Sequence, residues 1–330
     1  MRVLVLGGAG YIGSHAVYQL IDDGYDVTVI DNLQTGHRQA IHPEAIFYEG
    51  DIRDKQFLQS VFAREKVSAV MHFAANSLVG ESMEKPLDYY DNNVFGSQVL
   101  LQVMVEHEVE YFVFSSTAAT YGEPEIVPIT EEMPTSPTNP YGETKLMIEK
   151  MLHWTSEAHG IKYVALRYFN VAGARDSAEI GEDHDPETHL VPITLQVALK
   201  QRDHLTIFGD DYDTPDGTCI RDYVHVTDLI DAHILAMKYL QKGNDSNIFN
   251  LGSNDGFSVK EIVQATEKVT EKPIPTKIGQ RRPGDPATLI ASSNKAKSVL
   301  GWQPKYTTIE EIITSAWKWH QKRPHGYKEQ

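Results

Sequence analysis

Apolar and polar positions alternate along the first half of the chain in a way that predicts a parallel sheet flanked by helices. Short runs rich in valine, isoleucine and aromatic residues are continuously apolar, which is typical of strands buried on both faces. Stretches with helical spacing separate them, and this alternation favours an α/β fold. The predicted strands are Val3 to Leu6, Asp26 to Ile30, Ile46 to Tyr48, Ala69 to Phe73, Tyr111 to Phe114 and Tyr163 to Arg167; the predicted helices are Tyr11 to Asp22, Lys55 to Glu65, Pro86 to His107 and Tyr141 to His159.

The pattern changes after residue 120, where prolines and charged residues interrupt it. Glu123 to Pro140 is typical of a long loop, and Arg175 to His189 of an irregular crossing between lobes. We predict a Rossmann-type, doubly wound parallel sheet at 1–172, joined by some later segments, and a smaller C-terminal α/β lobe at 173–330. The predicted helices of the second part are Val191 to Lys200, Val226 to Leu240, Val259 to Val269 and Ile309 to Trp319.

Composition limits the partners and the location of the protein. Its 330 residues carry 46 acidic and 30 basic side chains, and this net charge of −16 disfavours binding to nucleic acid or anionic membranes. The single cysteine, Cys219, excludes an internal disulfide and suits a reducing cytoplasm. No run approaches the roughly 18 apolar residues of a membrane helix, and tight clusters of Cys and His are absent. We expect a cytoplasmic protein without a membrane partner or a metal site.

A glycine-rich turn joins the first strand to the first helix. It contains three glycines at three-residue spacing, Gly7, Gly10 and Gly13. Glycine is favoured at such positions because one permits a tight turn, one lets the backbone approach a phosphate, and one allows close packing of the helix on the strand. The helix would then direct free amides and its positive dipole end toward a pyrophosphate. Asp31 ends the second strand, eighteen residues after Gly13, where a carboxylate can bind a ribose hydroxyl and repel a phosphate. The pattern predicts an NAD site and favours NAD over NADP.

Other candidate cofactor contacts lie at the ends of later strands. Asp51 and Ile52 follow the third strand, where an adenine edge fits, although Asp51 as a helix cap is the alternative. The fourth strand ends in Phe73, Ala74 and Ala75, and the small alanines let a cofactor lie close. Asn92 and Asn93 reach either the cofactor or the loop backbone.

Candidate catalytic groups follow the fifth strand. Thr117 lies in a Ser/Thr-rich strand end, and Tyr141 and Lys145 are one helical turn apart, so their side chains face the same way. A tyrosine pKa near 10 is too high for a base at neutral pH. A neighbouring ammonium lowers it, and the positive nicotinamide ring of an oxidised cofactor would add to this. The pattern predicts that Tyr141 removes a proton from a hydroxyl while hydride leaves the same carbon, with Thr117 holding that hydroxyl.

Further motifs follow in order along nearly the whole chain. They are IDNL, EGDIRD, VGES, DYYDNN, FSSTAATYG, PYGETK, LRYFNVAGA, GEDH, IFGDDY, DGTCIRDYVHV, NLG and RRPGDPA. With them the chain resembles the extended short-chain dehydrogenase/reductase family, in its branch of sugar-nucleotide enzymes. The resemblance implies a homodimer with tightly held NAD that inverts carbon 4 of a UDP-hexose through a 4-keto intermediate, interconverting UDP-glucose and UDP-galactose in galactose metabolism.

The resemblance also implies site residues within the matched motifs. The catalytic residues are Thr117, Tyr141 and Lys145, which also contact the cofactor. Further implied cofactor contacts are Tyr11, Ile12, Asn32 and Phe169. The implied substrate contacts are Asn170, His189, Leu190, Leu205, Ile207, Phe208, Arg221, Arg282, Asp285 and Leu289, besides Thr117 and Tyr141.

Several of these positions have simpler interpretations, and two depart from relatives. Arg221 followed by Asp222 is also typical of an exposed ion pair, and Leu205 to Phe208 of an ordinary strand. Ser77 stands where some relatives place a lysine against the cofactor, which leaves that contact open. Leu289 takes the wall position where relatives have tyrosine or a smaller residue, which leaves acceptance of N-acetylated UDP-hexosamines open.

Two other classes of function remain at this point. A dehydratase or decarboxylase would share the scaffold, but a dehydratase needs an acid pair after Thr117, where Ala118 and Ala119 stand. A non-catalytic NAD-sensing regulator would tolerate loss of the tyrosine or the lysine, and this chain has both.

Overall fold

A computed structural model describes residues 1–282 and 285–328; Pro283 and Gly284 of the RRPGDPA motif lie outside them. Its strands are β1 (Arg2–Leu6), β2 (Asp26–Asp31), β3 (Ile46–Glu49), β4 (Ala69–His72), β5 (Tyr111–Ser115), β6 (Lys162–Arg167), β7 (Asn170–Ala172), β8 (Leu205–Phe208), β9 (Ile220–Arg221), β10 (Tyr223–His225), β11 (Asn247–Asn250), β12 (Phe257–Ser258), β13 (Thr276–Gly279) and β14 (Thr288–Leu289). Its α-helices are α1 (Tyr11–Asp22), α2 (Lys55–Glu65), α3 (Val79–Glu84), α4 (Pro86–Tyr89), α5 (Gly96–Glu106), α6 (Pro140–His159), α7 (Leu190–Ala198), α8 (Val226–Gln241), α9 (Val259–Thr270) and α10 (Ile309–Lys322).

The main sheet has seven parallel strands in the order β11-β6-β5-β4-β1-β2-β3. The chain runs outward from β1 to β3 and then crosses to β4 on the other side of β1. Such a reversal opens a crevice at the carboxyl ends of the strands, where open α/β sheets bind ligands. The predicted fold class is confirmed.

Alternating side chains of the strands supply two hydrophobic layers. Val3 and Val5 of β1 pack into a core with α1 and α8, whereas Leu4 and Leu6 belong to a second core with α2, α5 and α6. Because both faces are covered, the strands are apolar throughout, as their sequences predicted. Two segments after residue 172, α8 and β11, pack with this sheet.

The smaller lobe has its own core. Helices α7, α9 and α10 pack there with the parallel pair β8 and β13. Two further small sheets, β10-β7 and β12-β9-β14, lie where the chain passes between the two parts.

The predicted helix from Pro86 to His107 is wrong as a single element. The segment comprises α4, a π-helical turn at Tyr90–Phe95, and α5. A π turn inserts an extra residue into the helix and redirects side chains, and such turns are frequent at functional sites. Here it buries Asn93, whose side chain holds a neighbouring loop.

Across the two described ranges, no helix combines the length and the apolar character needed to cross a membrane.

The glycine turn gives a direct test of the packing at the start of α1. A Cβ on Gly13 would lie 2.0 Å from the carbonyl oxygen of Gly7, a backbone atom that cannot rotate away. We expect Gly13→Ala to lower the free energy of unfolding by about 1–3 kcal/mol through overpacking, measured by urea denaturation.

The matched control is Gly80→Ala, because Gly80 is exposed in α3 and its added Cβ meets no atom within 4 Å. Equal midpoints and slopes for the two variants would contradict the close approach at Gly13.

Candidate active site

A cleft opens where the glycine turn meets the carboxyl ends of β1, β2 and β4. Gly7 has a φ of +77°, and a Cβ there would lie 2.7 Å from the backbone nitrogen of Ala74, so the turn requires glycine. No side chain caps the start of α1 at Gly10, which leaves its first amides directed at the cleft. The predicted cofactor residues that line this cleft are Gly7, Gly10, Asp31, Asn32, Ile52, Phe73, Ala74, Ala75 and Asn92.

Asp31 fixes the shape of this cleft. Its two carboxylate oxygens accept hydrogen bonds from the backbone nitrogens of Ala9 at 2.9 Å and Leu33 at 2.8 Å. Burial raises the pKa of Asp31, and these two hydrogen bonds oppose the rise. The side chain therefore lies at the edge of the cleft with its orientation set before any ligand binds.

Asp51 is held by other side chains. Its carboxylate pairs with Arg53 at 2.7 Å and accepts from Asn32 at 3.1 Å, and Arg53 lowers the pKa of Asp51 to about 2. The helix-cap alternative for Asp51 is wrong, because Asp54 caps α2 by accepting from the Phe57 amide.

Two neighbouring asparagines in the π turn have different surroundings. Asn92 lines the cleft, whereas Asn93 is fully buried. The Asn93 side chain accepts from the Asn76 amide at 2.8 Å and donates to the Thr144 hydroxyl at 3.1 Å. The contact with Asn76 is the loop-backbone alternative for Asn93, and the bond to Thr144 joins the cofactor cleft to the helix that carries Tyr141 and Lys145.

The first turn of α6 places Tyr141 and Lys145 beside the end of β5. Asn139 caps this helix by accepting from the Gly142 amide at 2.9 Å, and Pro140 takes its first position. The Lys145 Nζ donates to the Ser115 carbonyl at 2.8 Å and lies 5.9 Å from the centre of the Tyr141 ring. The predicted pair therefore does face the same way.

The ionisation of this pair differs from the expectation. Burial raises the pKa of Tyr141 to about 12, and the Thr117 side chain opposes only part of this rise. Burial also lowers the pKa of Lys145 to about 7, although the Glu149 carboxylate favours its charged form. The expectation named two positive groups, the Lys145 ammonium and the ring of an oxidised nicotinamide; with the protein alone, desolvation decides the direction of the Tyr141 pKa shift.

A buried ion pair, Glu149 with Arg167, lies one helical turn beyond Lys145. Glu149 accepts from Arg167 at 2.9 Å and from the Ser116 hydroxyl at 2.6 Å, and all three side chains are buried. Sequence reasoning missed this pair, although Glu149 lies one turn beyond Lys145 on the same helix. It fixes β5, β6 and α6 to one another beneath the site.

A second cavity, of about 430 Å³, begins at Tyr141 and extends toward the smaller lobe. The predicted residues that line it are Thr117, Tyr141, Phe169, Asn170, Arg221, Arg282, Asp285 and Leu289. Ser77, the residue in place of a lysine, also lines it. Seven further lining residues were not assigned from the sequence, namely Val79, Ala119, Gly122, Glu123, Thr138, Asn139 and Pro286.

Two arginines contribute positive charge to this cavity. Arg221 pairs with Asp285 and donates to the Pro286 carbonyl at 2.8 Å, whereas the Arg282 guanidinium lies 4.1 Å from the centre of the Phe208 ring. The alternative prediction, an exposed ion pair between Arg221 and Asp222, is wrong because Asp222 is buried. Its carboxylate accepts hydrogen bonds from the Ser253 and Ala291 backbone amides.

The other predicted substrate residues lie apart from this cavity. Leu205 and Ile207 are buried in the core of the smaller lobe, as expected for side chains of an ordinary strand. Phe208 is the exposed residue of that strand. Leu190 packs on the same core at the start of α7. His189 bonds to Glu187 and pairs with Glu182, each at 3.0 Å.

The remaining predicted cofactor residues support the glycine turn. The Tyr11 hydroxyl donates to the Gly173 carbonyl at 2.6 Å, and Ile12 packs on the core beneath the sheet. Gly13 contacts the Gly7 backbone.

Comparisons with known proteins agree with this geometry. The model of the NAD dependent epimerase/dehydratase family matches residues 3–252. The UDP-glucose 4-epimerase of Halalkalibacterium halodurans is 59% identical over 99% of this chain and 98% of its own length. A solved UDP-glucose 4-epimerase is 61% identical, with a TM-score of 0.98 over 100% of both chains.

Another structure is that of UDP-glucose 4-epimerase from Bifidobacterium longum in complex with NAD+ and UDP. It is 41% identical, with a TM-score of 0.93 over 99% of this chain and 100% of that one. From the glycine turn, the tyrosine–lysine pair and these matches together, the chain belongs to the NAD dependent epimerase/dehydratase family.

Proposed function

We propose that this protein catalyses the reversible epimerisation of UDP-glucose and UDP-galactose at carbon 4, with NAD as its bound cofactor, in galactose metabolism. One observation carries the proposal. Thr117 and Tyr141 line the same cavity as Arg221 and Arg282, and that cavity begins beside the glycine-turn cleft. The relatives named UDP-glucose 4-epimerase match the chain over nearly its full length.

The residues of the cleft fit NAD. The turn at Gly7 and Gly10 leaves room that a Cβ at Gly7 would close, and the first amides of α1 face a pyrophosphate there. Asp31 suits a ribose with free hydroxyls and repels a 2′-phosphate. NAD held by these residues would supply reversible hydride transfer at carbon 4 of the sugar.

Tyr141 acts as the base toward the sugar hydroxyl on carbon 4, and Thr117 hydrogen-bonds that hydroxyl. Because burial raises the pKa of Tyr141 to about 12, loss of its proton needs more positive charge than Lys145 supplies. An oxidised nicotinamide, if bound in the cleft, would add positive charge and so favour the deprotonated form of Tyr141.

The inversion requires a firm hold on the nucleotide and a loose hold on the hexose. Arg221 and Arg282 suit the diphosphate, because a guanidinium binds phosphate through paired donors. Binding energy from the part that does not react then keeps the 4-keto sugar in the cavity while it turns. Leu289 forms part of the wall, with a smaller side chain than tyrosine.

The dehydratase alternative lacks its acid pair. Ala118 and Ala119 follow Thr117, where a dehydratase needs two acids. Among the carboxylates that line the cavity, Asp285 is paired with Arg221. Burial of a lysine beside a tyrosine lowers stability, and a non-catalytic NAD-sensing regulator would gain nothing in return. Epimerisation accounts for both groups.

The two parts of the chain divide this work. We propose that 1–172, with later segments such as α8 and β11, binds NAD, and that 173–330 mainly binds the nucleotide sugar. In support, the cofactor cleft is lined from the first part and both arginines come from the second.

A cytoplasmic location is part of the proposal. A single cysteine suits a reducing compartment, and UDP-hexose chemistry needs no membrane partner.

We also propose a homodimer. An apolar groove between α5 and α6 is lined by Leu101, Val105, Met147, Met151 and Trp154, with Lys150 and Glu106 on its rim. The Trp154 side chain is 69% exposed, which is unusual for so large an apolar group. Because the rim carries both signs of charge, the groove complements a second copy of itself about a two-fold axis.

Substitution at the centre of the groove tests the dimer. We expect Trp154→Glu to convert a dimer into a monomer, since a buried charge would face its own copy, and light scattering after gel filtration measures the mass. Ile278→Glu is the matched control, an exposed apolar residue on β13. A monomeric wild-type protein, or a dimeric Trp154→Glu, would contradict the proposal.

Removing the phenol hydroxyl tests the base. We expect Tyr141→Phe to reduce kcat for interconversion by about 10²–10⁴-fold, measured by a coupled assay. The content of bound NAD, measured after its release from the protein, should be unchanged. The matched control is Tyr25→Phe, a partly buried tyrosine of the α1 core. Activity of Tyr141→Phe within tenfold of the control would refute Tyr141 as the base.

Burial of Lys145 predicts a particular dependence of stability on pH. Its folded pKa of about 7 lies below the unfolded value of 10.5, so the unfolded chain binds more protons between these values. Stability must then rise with pH across that window, by at most about 1.4 kcal/mol per pH unit. We expect the difference in unfolding free energy, wild type minus Lys145→Met, to rise from pH 7 to 9.5.

The measurement is urea denaturation of the cofactor-free proteins at matched ionic strength. Other titrating groups are common to both proteins and cancel in the difference. A difference that is constant or falls with pH would contradict a lysine whose pKa is lowered by burial.

A further inference from the structure

A second group of ionisable side chains lies outside both cavities, in the crossing segment between the two lobes. Glu182, His184, Glu187 and His189 follow the pattern E-x-H-x-x-E-x-H, just before α7. The sequence analysis expected no metal site because it searched for tight clusters of cysteine and histidine. The fold brings one ligand atom of each of these four residues within 4.8 Å of all the others.

Four nitrogen–oxygen distances within this group are close to those between neighbouring ligands of one ion, although the two histidines approach different oxygens of Glu187. The Nδ1 atom of His184 is 3.2 Å from a Glu182 oxygen and 3.6 Å from a Glu187 oxygen. The Nδ1 atom of His189 is 3.0 Å from an oxygen of each glutamate. Four ligands about 2.1 Å from a tetrahedral zinc ion would be about 3.4 Å apart.

One of these nitrogen atoms is buried without a hydrogen bond. Within the part of the chain that the structure describes, the Nδ1 of His184 is shielded from solvent and makes no well-directed hydrogen bond, although a Glu182 oxygen lies 3.2 Å away. A buried polar nitrogen that is left unbonded costs free energy. A cation at the centre of the group would supply the missing contact.

The carboxylates are also fixed before any ion binds. Glu182 and Glu187 side chains are only 5% and 3% exposed. One Glu187 oxygen accepts from the Thr188 and His189 amides at 2.8 Å each, and the Glu182 carbonyl accepts from the Trp319 indole at 3.1 Å. Such outer contacts are what orient ligands in metal sites.

We propose that these four side chains bind one divalent transition-metal ion, with zinc the best match. Two carboxylates balance its charge, and two neutral imidazoles complete a closed tetrahedral set of nitrogen and oxygen donors. All four positions are taken by protein, which is typical of a structural ion and not of a catalytic one.

The ion would fasten the crossing segment to both parts of the molecule. On one side the neighbouring Asp183 carbonyl contacts the His37 ring at 2.9 Å, and the His184 ring meets Tyr11 edge-on at 6.2 Å. On the other side Trp319 of α10 holds Glu182. Loss of the ion is therefore expected to loosen the smaller lobe against the NAD-binding part, without removing any group from the catalytic cavity.

The competing arrangement is a metal-free ionic cluster of two histidinium ions and two carboxylates. It satisfies the charges as well, but it predicts no bound metal and no response to a chelator. The two arrangements are therefore separated by metal content.

The experiment uses untagged full-length protein purified without chelators, with metal measured by inductively coupled plasma mass spectrometry. We expect about one zinc per chain in the wild type and in His153→Gln, an exposed histidine on α6. In the double variant His184→Gln/His189→Gln the zinc content should fall at least tenfold. Zinc that stays in the double variant, or wild-type protein that is metal-free and takes up none from added zinc, would overturn the proposal.

A second measurement needs no substituted chain. Dipicolinate should lower the Tm of the wild type by on the order of 5 °C, and zinc should restore it. Cobalt added to the stripped protein should give the intense visible absorption of a tetrahedral ion. An unchanged Tm together with a weak octahedral cobalt spectrum would overturn the proposal even if the double variant failed to fold.

Discussion

The hydrogen bond from the Lys145 ammonium to the Ser115 carbonyl is the contact on which the rest of the site depends. It fastens the first turn of α6 to the carboxyl end of β5 at 2.8 Å, and so determines where Tyr141 lies relative to the crevice. The same crevice exists because the chain reverses direction at β1 and β4. The topology supplies the place, and this one contact aligns the chemical group with it.

The site is maintained against the tendency of polar groups to remain in water. Lys145, Glu149 and Arg167 are buried and Tyr141 is half-buried, and desolvation disfavours the charged forms of Lys145 and Tyr141. A buried ion pair contributes little net stability, so Glu149 and Arg167 are best understood as fixing position. Desolvation in this site therefore favours the protonated form of Tyr141.

Much of this arrangement could be predicted from the residues. The spacing of Gly7, Gly10 and Gly13, the acid at Asp31, and one helical turn between Tyr141 and Lys145 are local patterns, and local patterns are read directly from sequence. Gly7, Gly10 and Asp31 line the cofactor cleft, and Tyr141 lines the second cavity. The roles of individual residues remain predictions that the proposed substitutions test.

What could not be predicted depends on distant packing. The direction of the Tyr141 pKa shift is set by burial, which the sequence does not state. Leu205 and Ile207 face a core built from helices far along the chain. Glu182, His184, Glu187 and His189 come together in the crossing segment, which contacts both α10 and the loop at His37.

The central claim is that inversion proceeds by removal and return of one hydride at a single carbon within a single active site. UDP-galactose carrying deuterium at carbon 4 tests it most directly, by mass spectrometry and NMR of the UDP-glucose formed. The account predicts that the deuterium stays on carbon 4 of the same molecule, with none passed to solvent or to unlabelled substrate. Loss of deuterium to water would contradict it, because the inversion would then proceed by proton exchange at carbon 4.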